Sequence, residues 1–355
     1  MQEMSEKAFE LGIPLSVHLD ITYRCNERCV HCYLDHEDRG ELTTAEIRNL
    51  LDQLASAGVF FLTLSGGEIL LRKDFFEILE HARKLRFCVK LKSNGILIRE
   101  PQAQRIRAFG VESIQVSIYS HRPQIHDSIT KIQGSFERSV SAIRFLTARG
   151  IKVIIANVLM VQNKRDYAEV RKMAIELGVD CTLDPTVTPM MDGNRSVLDL
   201  NVDRLSLRQV FQDPFLVGAP EDIRSTPSKP NEAELDSLPC SAGHTACYVS
   251  PYGDVYPCVQ FPLNCGNVRF QSFSDIWRNS PQLKEVRSIR LRDLPSCSKC
   301  VHGSACTRCP GLAYMEGDMR GPSLQDCEKS YAITGISSEN LTSKPSRFPP
   351  LVQIQ

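Results

Sequence analysis

Fourteen cysteines stand in this 355-residue chain, and most of them fall into two dense regions separated by a cysteine-poor middle. The first region is Cys25-Asn26-Glu27-Arg28-Cys29-Val30-His31-Cys32, a C-x3-C-x2-C run. Clustered thiols without a secretion signal point to metal rather than to disulfides. Three thiolates fall one short of the usual set around an iron–sulfur cluster, which leaves one iron open to a small molecule. The same spacing also fits a zinc site completed by His31 or His36. A second constellation is Ser65-Gly66-Gly67-Glu68. Paired glycines let a ligand come close to the backbone. No GxGxxG or Walker pattern accompanies them and Glu68 would repel a phosphate, so a positively charged group such as an ammonium suits the motif better. A plain glycine turn gives the same letters. The third constellation is C-terminal: Cys240, Cys247 and Cys258, then Cys297-x2-Cys300-x5-Cys306-x2-Cys309, and Cys327. These eight thiols suffice for two fully ligated four-iron clusters or for two zinc sites of four thiolates each.

Positioning such groups takes a scaffold, and the first two hundred residues supply its pattern. Leu15, Val17, Leu19 and Ile21 alternate with Ser16, His18, Asp20 and Thr22, the period of a strand. Thr43-Thr44-Ala45-Glu46 reads as a capping box, followed by a helical face of Ile47, Leu50, Leu51 and Leu54, with Gly58 at its stop. Val59 to Leu64 reads as a buried strand that ends at the glycine pair. Further helices are expected at 74–86, 101–109, 135–149 and 164–177, and strands at 87–92, 112–119, 151–160 and 180–184. This alternation predicts right-handed βαβ units around a parallel sheet. Six strands are fewer than a complete barrel needs; a partial barrel and an open doubly wound sheet both fit. The cysteine run follows the first strand directly, where ligand loops sit in such folds.

Composition bounds the rest. Lys+Arg and Asp+Glu are both 42, so no basic surplus marks a nucleic-acid binder. Hydrophobic residues make up 42% and charged residues 24%, as in an ordinary globular protein of about two domains. The opening MQEMSEKAFELGIP has acids where a signal peptide has bases, and no run of about 18 apolar residues offers a membrane span; a cytosolic protein is expected. Residues 206–239, with Pro214, Pro220, Pro227, Pro230 and Pro239, read as a bridging segment, and 333–355 as a loosely held tail.

Taken together, the cysteine run and Gly66-Gly67-Glu68 resemble the radical S-adenosylmethionine (SAM) superfamily over residues 15–205. The resemblance extends to Lys92-Ser93-Asn94-Gly95, Val116-Ser117-Ile118, His126-Asp127 and Gly134-Ser135-Phe136-Glu137-Arg138. It implies a partial (β/α)6 TIM-like barrel, with Cys25, Cys29 and Cys32 on a [4Fe–4S] cluster and Gly66, Gly67 and Glu68 on the methionyl amino group. It further implies Ser117 and Arg138, with Asn94 and Leu183, around the rest of SAM, and His31 near adenine. Tyr119 stands where that family usually has aspartate. Residues 240–332 are similar to the SPASM domain, a small cysteine-rich region with little regular structure, by the pattern Cys240, Gly253, Cys258, the four-cysteine run and Cys327. That likeness implies a first auxiliary cluster on Cys240, Cys247, Cys258 and Cys309 and a second on Cys297, Cys300, Cys306 and Cys327, with Cys265 the replacement ligand if that assignment errs. Cys88 and Cys181 read as small core hydrophobes, and His81, His121 and His126 as structural or surface residues.

The expected activity is SAM cleavage to a 5′-deoxyadenosyl radical that abstracts hydrogen from a peptide or protein, as in crosslink, thioether, epimer or oxidised-residue formation. An external donor of flavodoxin or ferredoxin type would supply the electron. No long segment precedes the first strand, so leader recognition would fall to a separate partner or to the enzyme's own surface. A sulfatase maturase fits less well, because Val259 stands where that group has aspartate. Modification of a tetrapyrrole side chain is the enzyme alternative. A non-catalytic zinc-binding interaction protein explains the C-terminal cysteines but not the strand-end glycines.

Overall fold

The computed structural model describes residues 2–214 and 228–335, which leaves Pro220, Pro227 and the expected tail beyond Gly335 outside the described residues. By contacts the chain divides into two compact units, Met1–Val202 with Ser241–Ser288, and Asp203–Cys240 with Ile289–Gln355.

The first unit opens with helix α1 (Gln2–Glu10) and strand β1 (Ser16–Thr22), followed by α2 (Thr44–Ser56) and β2 (Phe61–Gly66). The capping box forms as expected: Thr43 N donates to Glu46 Oε2 at 2.7 Å, and Glu46 N donates back to Thr43 Oγ1 at 3.3 Å. The buried face of α2 is Ile47, Leu50, Leu51 and Leu54, each contributing about 1.5–3 kcal/mol of burial. The series continues with α3 (Phe75–Lys84), β3 (Cys88–Ser93), α4 (Glu100–Phe109), β4 (Ser113–Ser117), α5 (Pro123–Thr130), α6 (Ser135–Thr147), β5 (Val153–Val158), α7 (Tyr167–Glu176) and β6 (Asp180–Asp184). Helix α5 was not legible as a period; it is short, and Pro123 starts it where its missing N–H costs nothing.

Strands β1 to β6 are all parallel and adjacent in order, so the α/β architecture is a partial TIM barrel of six strands. Three more strands follow: β7 (Ala246–Val249), β8 (Asp254–Tyr256) and β9 (Gly266–Asn267). Strand β7 pairs in parallel with the free edge of β1, and β8 and β9 continue antiparallel. Residues 241–288, read from the sequence as the start of the cysteine-rich region, thus extend the barrel sheet, and helices α10 (Phe273–Asn279) and α11 (Pro281–Ser288) complete the unit.

Period two divides the sheet into two faces. Val17, Leu19, Ile21, Val89, Leu91, Ile114, Val116, Val153 and Ile155 pack outward into one large apolar core beneath the helices. The opposite face carries His18, Lys92, Gln115, Ser117, Thr182 and Asp184, which line a cavity instead. A complete barrel fills that space with branched apolar residues. Here the polar face leaves it open.

The second unit has fewer regular elements: α8 (Arg204–Phe211), the one-turn α9 (Glu232–Leu235), α12 (Pro310–Met315), α13 (Leu324–Thr334) and three single 3₁₀ turns. Helices α8 and α13 are clasped by Arg204, which donates to both oxygens of Glu328 at 2.7 Å and lies 5.0 Å from the centre of the Tyr331 ring. Among the described residues no helix is long and apolar enough to cross a membrane.

Candidate active site and cluster-binding cysteines

The cavity lies at the C-terminal ends of the parallel strands, has a volume of about 330 Å3, and takes lining residues from every strand from β1 to β6 or the loop behind it. The cysteine run is the loop that leaves β1. Its backbone is held from both sides: Arg28 N and Val30 N donate to Thr130 O and Ile129 O of α5, each at 3.0 Å, and Cys32 N donates to Cys29 O at 3.1 Å. Cys25, Cys29 and Cys32 all face the cavity. Burial pushes the Cys25 thiol up to about 12, and Glu68, Glu27 and Cys32 add to that. Burial raises Cys29 and Cys32 as well, and the same acidic residue, Glu27, works against both thiolates. Three thiols crowded beside carboxylates are poor anions by themselves. Bound iron supplies the positive charge that deprotonates such a set, so the donors fit an iron–sulfur cluster.

Glycines 66 and 67 do something the sequence did not disclose. A side chain on Gly66 would stand 2.1 Å from Thr22 O, and one on Gly67 would stand 2.3 Å from Arg24 O. They let the end of β2 press against the start of the cysteine loop, where Gly67 N donates to Thr22 O at 2.8 Å and Glu68 N to Arg24 O at 2.9 Å. Both glycines still line the cavity.

Glu68 lies behind the wall. It is fully buried, and its oxygens accept from Leu70 N at 3.0 Å, Asn94 N at 2.9 Å and Ser93 Oγ at 2.9–3.0 Å. Burial raises its pKa against those bonds. Through Asn94 the effect reaches the cluster loop, because Asn94 Nδ2 donates to Asn26 Oδ1 at 2.7 Å and lies 3.7 Å from Cys25 Sγ. The carboxylate therefore positions Asn94, and what faces the cavity is Asn94 itself with Ser93.

Other expected site residues divide. Ser117, Asn94 and His31 line the cavity. His31 packs edge-on against Tyr119 at 4.7 Å, and burial pushes its imidazole down to about 4. Its Nδ1 and the Oε1 of Glu27 are buried with no hydrogen-bond partner, two polar atoms facing space that a cofactor would fill. Arg138 is not among the lining residues: its guanidinium donates to Gly134 O and Gln133 O, both at 2.9 Å, and stabilises the turn before α6, while its charge still reaches Glu27 of the cavity wall. Leu183 faces away from the cavity, whose wall at β6 is made by its neighbours Thr182 and Asp184. His126 accepts from Tyr119 N at 3.2 Å, a structural role as expected. Cavity residues to which the sequence assigned no site role are His18, Lys92, Gln115 and Asp184. Their signal was the polar half of each strand alternation.

In the second unit, Cys297, Cys300, Cys306 and Cys327 lie within one another's electrostatic reach. The Cys327 thiol is pushed up to about 12 by burial and then by Cys306, Cys297 and Cys300, and Cys306 is raised in the same way. Among the described residues no three His, Cys, Asp or Glu side chains close around a single ion. A four-iron cluster asks for a looser set, since each thiolate binds a different iron. Of the cysteines expected on the first auxiliary cluster, Cys247 and Cys258 belong to the first unit and Cys240 and Cys309 to the second. Cys265 is buried in the apolar core with Cys247 and is the first charge that the Cys247 thiol feels.

The chain matches the radical SAM superfamily model over residues 19–176 and an iron–sulfur cluster-binding SPASM domain over residues 240–301. It is 27% identical to the mycofactocin maturase MftC of Mycobacterium tuberculosis over 95% of this chain and 89% of that protein. It is 28% identical to the AdoMet-dependent heme synthase of Methanosarcina barkeri over 85% of this chain and 92% of that protein. The fold superimposes on Streptococcus suis SuiB, crystallised with its precursor peptide SuiA, with a TM-score of 0.70 at 18% identity, covering 91% of this chain and 78% of that one.

Proposed function

We propose that this chain, an enzyme of the radical SAM superfamily with an iron–sulfur SPASM domain, modifies a ribosomally made peptide by taking hydrogen from one of its C–H bonds. When bound, a SAM-ligated [4Fe–4S] cluster supplies the hydrogen abstraction, by way of a 5′-deoxyadenosyl radical. Cys25, Cys29 and Cys32 would hold that cluster, and Asn94, Ser117 and the backbone at Gly66–Gly67 would hold SAM against it. Glu68 keeps Asn94 in place. Cys297, Cys300, Cys306 and Cys327 would carry an auxiliary cluster. An external one-electron donor of flavodoxin or ferredoxin type completes the scheme.

The observation that carries the peptide reading is the charge of the cavity wall. Among the described residues Lys92 is the one lysine or arginine that lines it, beside the carboxylates Glu27 and Asp184, and Gln115, Asn157, Thr182, Thr188 and Gln260 add neutral amides and hydroxyls. Amide and hydroxyl groups of this kind pair with peptide backbone, whereas a macrocycle with several carboxylates calls for several cations. The maturase relative also spans 95% of the chain. The heme synthase relative favours the tetrapyrrole alternative, and one experiment separates the two. The anoxically reconstituted protein, given SAM and dithionite, should form 5′-deoxyadenosine and methionine. A porphyrin carrying several carboxylates should leave that yield unchanged and keep its own mass. Stimulated SAM cleavage with a change in porphyrin mass would overturn the peptide reading.

A further inference from the structure

The inward face of β1 carries a pair of groups that neither the cluster nor SAM accounts for. His18 lines the cavity, and its Nε2 lies 3.0 Å from Oδ1 of Asp20, two residues along the same face. Asp20 is fully buried, and its other oxygen accepts from Tyr248 OH at 2.9 Å. The Tyr248 hydroxyl is in turn 2.6 Å from that of Tyr23. A buried carboxylate is costly unless several donors satisfy it, so this one is built into its place by two strands.

The arrangement decides which imidazole nitrogen keeps a free lone pair. A carboxylate only accepts, so Asp20 selects the tautomer with hydrogen on Nε2 and leaves a lone pair on Nδ1. Among the described residues Nδ1 has no hydrogen-bond partner. The groups that bear on the ring are Asp20 from its own strand, Lys92 from β3 and the edge of the Tyr248 ring from β7, at 5.6 Å; its β2 neighbour, Thr63, does not titrate. Burial and Lys92 lower the imidazole pKa and Asp20 raises it, with the net shift downward. The ring is therefore neutral at pH 7, with a carboxylate behind it to stabilise the imidazolium once formed. This is the geometry of an oriented general base.

We propose that His18, oriented by Asp20 and Tyr248, is the proton acceptor of this cavity and takes a proton from an N–H, O–H or S–H of the bound substrate. The substrate atom keeps the electron pair, the imidazole becomes imidazolium, and Asp20 stays a carboxylate. The assignment rests on the reading that the cavity receives the substrate.

Diethyl pyrocarbonate acylates only the unprotonated imidazole nitrogen, and peptide mass spectrometry follows its addition to His18 in the reconstituted holoenzyme. The rate should rise along a single titration curve with a midpoint below that of a free imidazole. In Asp20→Asn the amide donates to Nε2 and puts the hydrogen on Nδ1, so acylation at pH 7 should slow by about tenfold or more. Tyr248→Phe leaves the His18–Asp20 contact and should change the rate less than about threefold. An unreactive His18 in the wild type would overturn the proposal, as would an unchanged rate in a folded Asp20→Asn variant. Formation of 5′-deoxyadenosine by the same preparation reports separately on the preceding reading: no SAM cleavage beside a reactive His18 would sink that reading and leave the base in place.

Discussion

The two cysteine regions differ in what holds them before any metal arrives. The loop of Cys25, Cys29 and Cys32 hangs from β1, leans on α5 through two backbone hydrogen bonds, and abuts the Gly66–Gly67 turn. Behind it stands a large apolar core shared by six parallel strands and their helices. The cysteines of Cys297–Cys327 instead sit among single 3₁₀ turns and two short helices, α12 and α13. A small unit with little regular structure cannot offset its chain entropy by apolar burial alone. On the proposed ligand sets the contrast predicts two uses of the same chemistry: in the first region the fold would shape a site for its cluster, and in the second a bound cluster would shape the fold.

The comparison breaks most sharply if both regions respond alike to loss of their thiols. Replacing Cys25, Cys29 and Cys32 by Ala should abolish SAM cleavage and remove about four irons while circular dichroism stays unchanged. Cys297→Ala with Cys300→Ala should open the second unit to limited proteolysis, because a structural metal site contributes on the order of 10 kcal/mol to the fold that surrounds it. Equal protease resistance in the two variants would end the distinction.

A finer test concerns how rigidly the barrel prepares its site. Glu68→Gln puts an amide donor where Ser93 Oγ, Asn94 N and Leu70 N all donate. The expected cost is about 1–3 kcal/mol in stability, together with weaker SAM binding by titration calorimetry at unchanged iron content. Lower iron with unchanged SAM affinity would mean that Glu68 serves cluster assembly instead.

The smallest effect lies at the capping box. Hydrogen bonds from Arg269 and Thr43 depress Glu46 to about 2, from 4.5. A depressed carboxyl contributes stability that is present above its unfolded pKa and is lost as pH falls through the folded value. The Glu46 side chain is more than a third exposed, so screening limits the contribution to about 1 kcal/mol or less. Thermal unfolding of Glu46→Gln should thus sit slightly below wild type at pH 6, and the gap should close as pH falls from 4.5 toward 2. A gap that persists at the acid end would assign the effect to packing.

Much of this molecule was legible in its letters. Local hydrogen bonding set the capping box at Thr43 and Glu46, and short-range periodicity marked β1, β3, β4 and β6 to within a residue or two of their ends. The cysteine spacing pointed to iron, zinc or both, and with Gly66-Gly67-Glu68 it carried the superfamily. These features are readable because each depends on residues a few positions apart.

What the sequence left undecided depends on neighbours far along the chain. The alternation in β1 says that its two faces differ, not what covers each one. His18, Asp20 and Thr22 look like a solvated edge, yet Asp20 and Thr22 are fully buried, because five more strands and Tyr248 close around them. Glu68 reads as a ligand for an ammonium, and the letters do not tell that Ser93 and Asn94, some 25 residues on, donate to its oxygens. Arg138 and Leu183 sit at the expected places in the pattern but do not line the cavity, since a position in sequence does not set a rotamer or the side of a pleat. The four-residue strand β7 is too short to announce itself, and only the free edge of β1 decides where it pairs. Types and spacings of residues determine which chemistry is on offer; burial and direction, which come from the packing of distant segments, decide which groups can reach it.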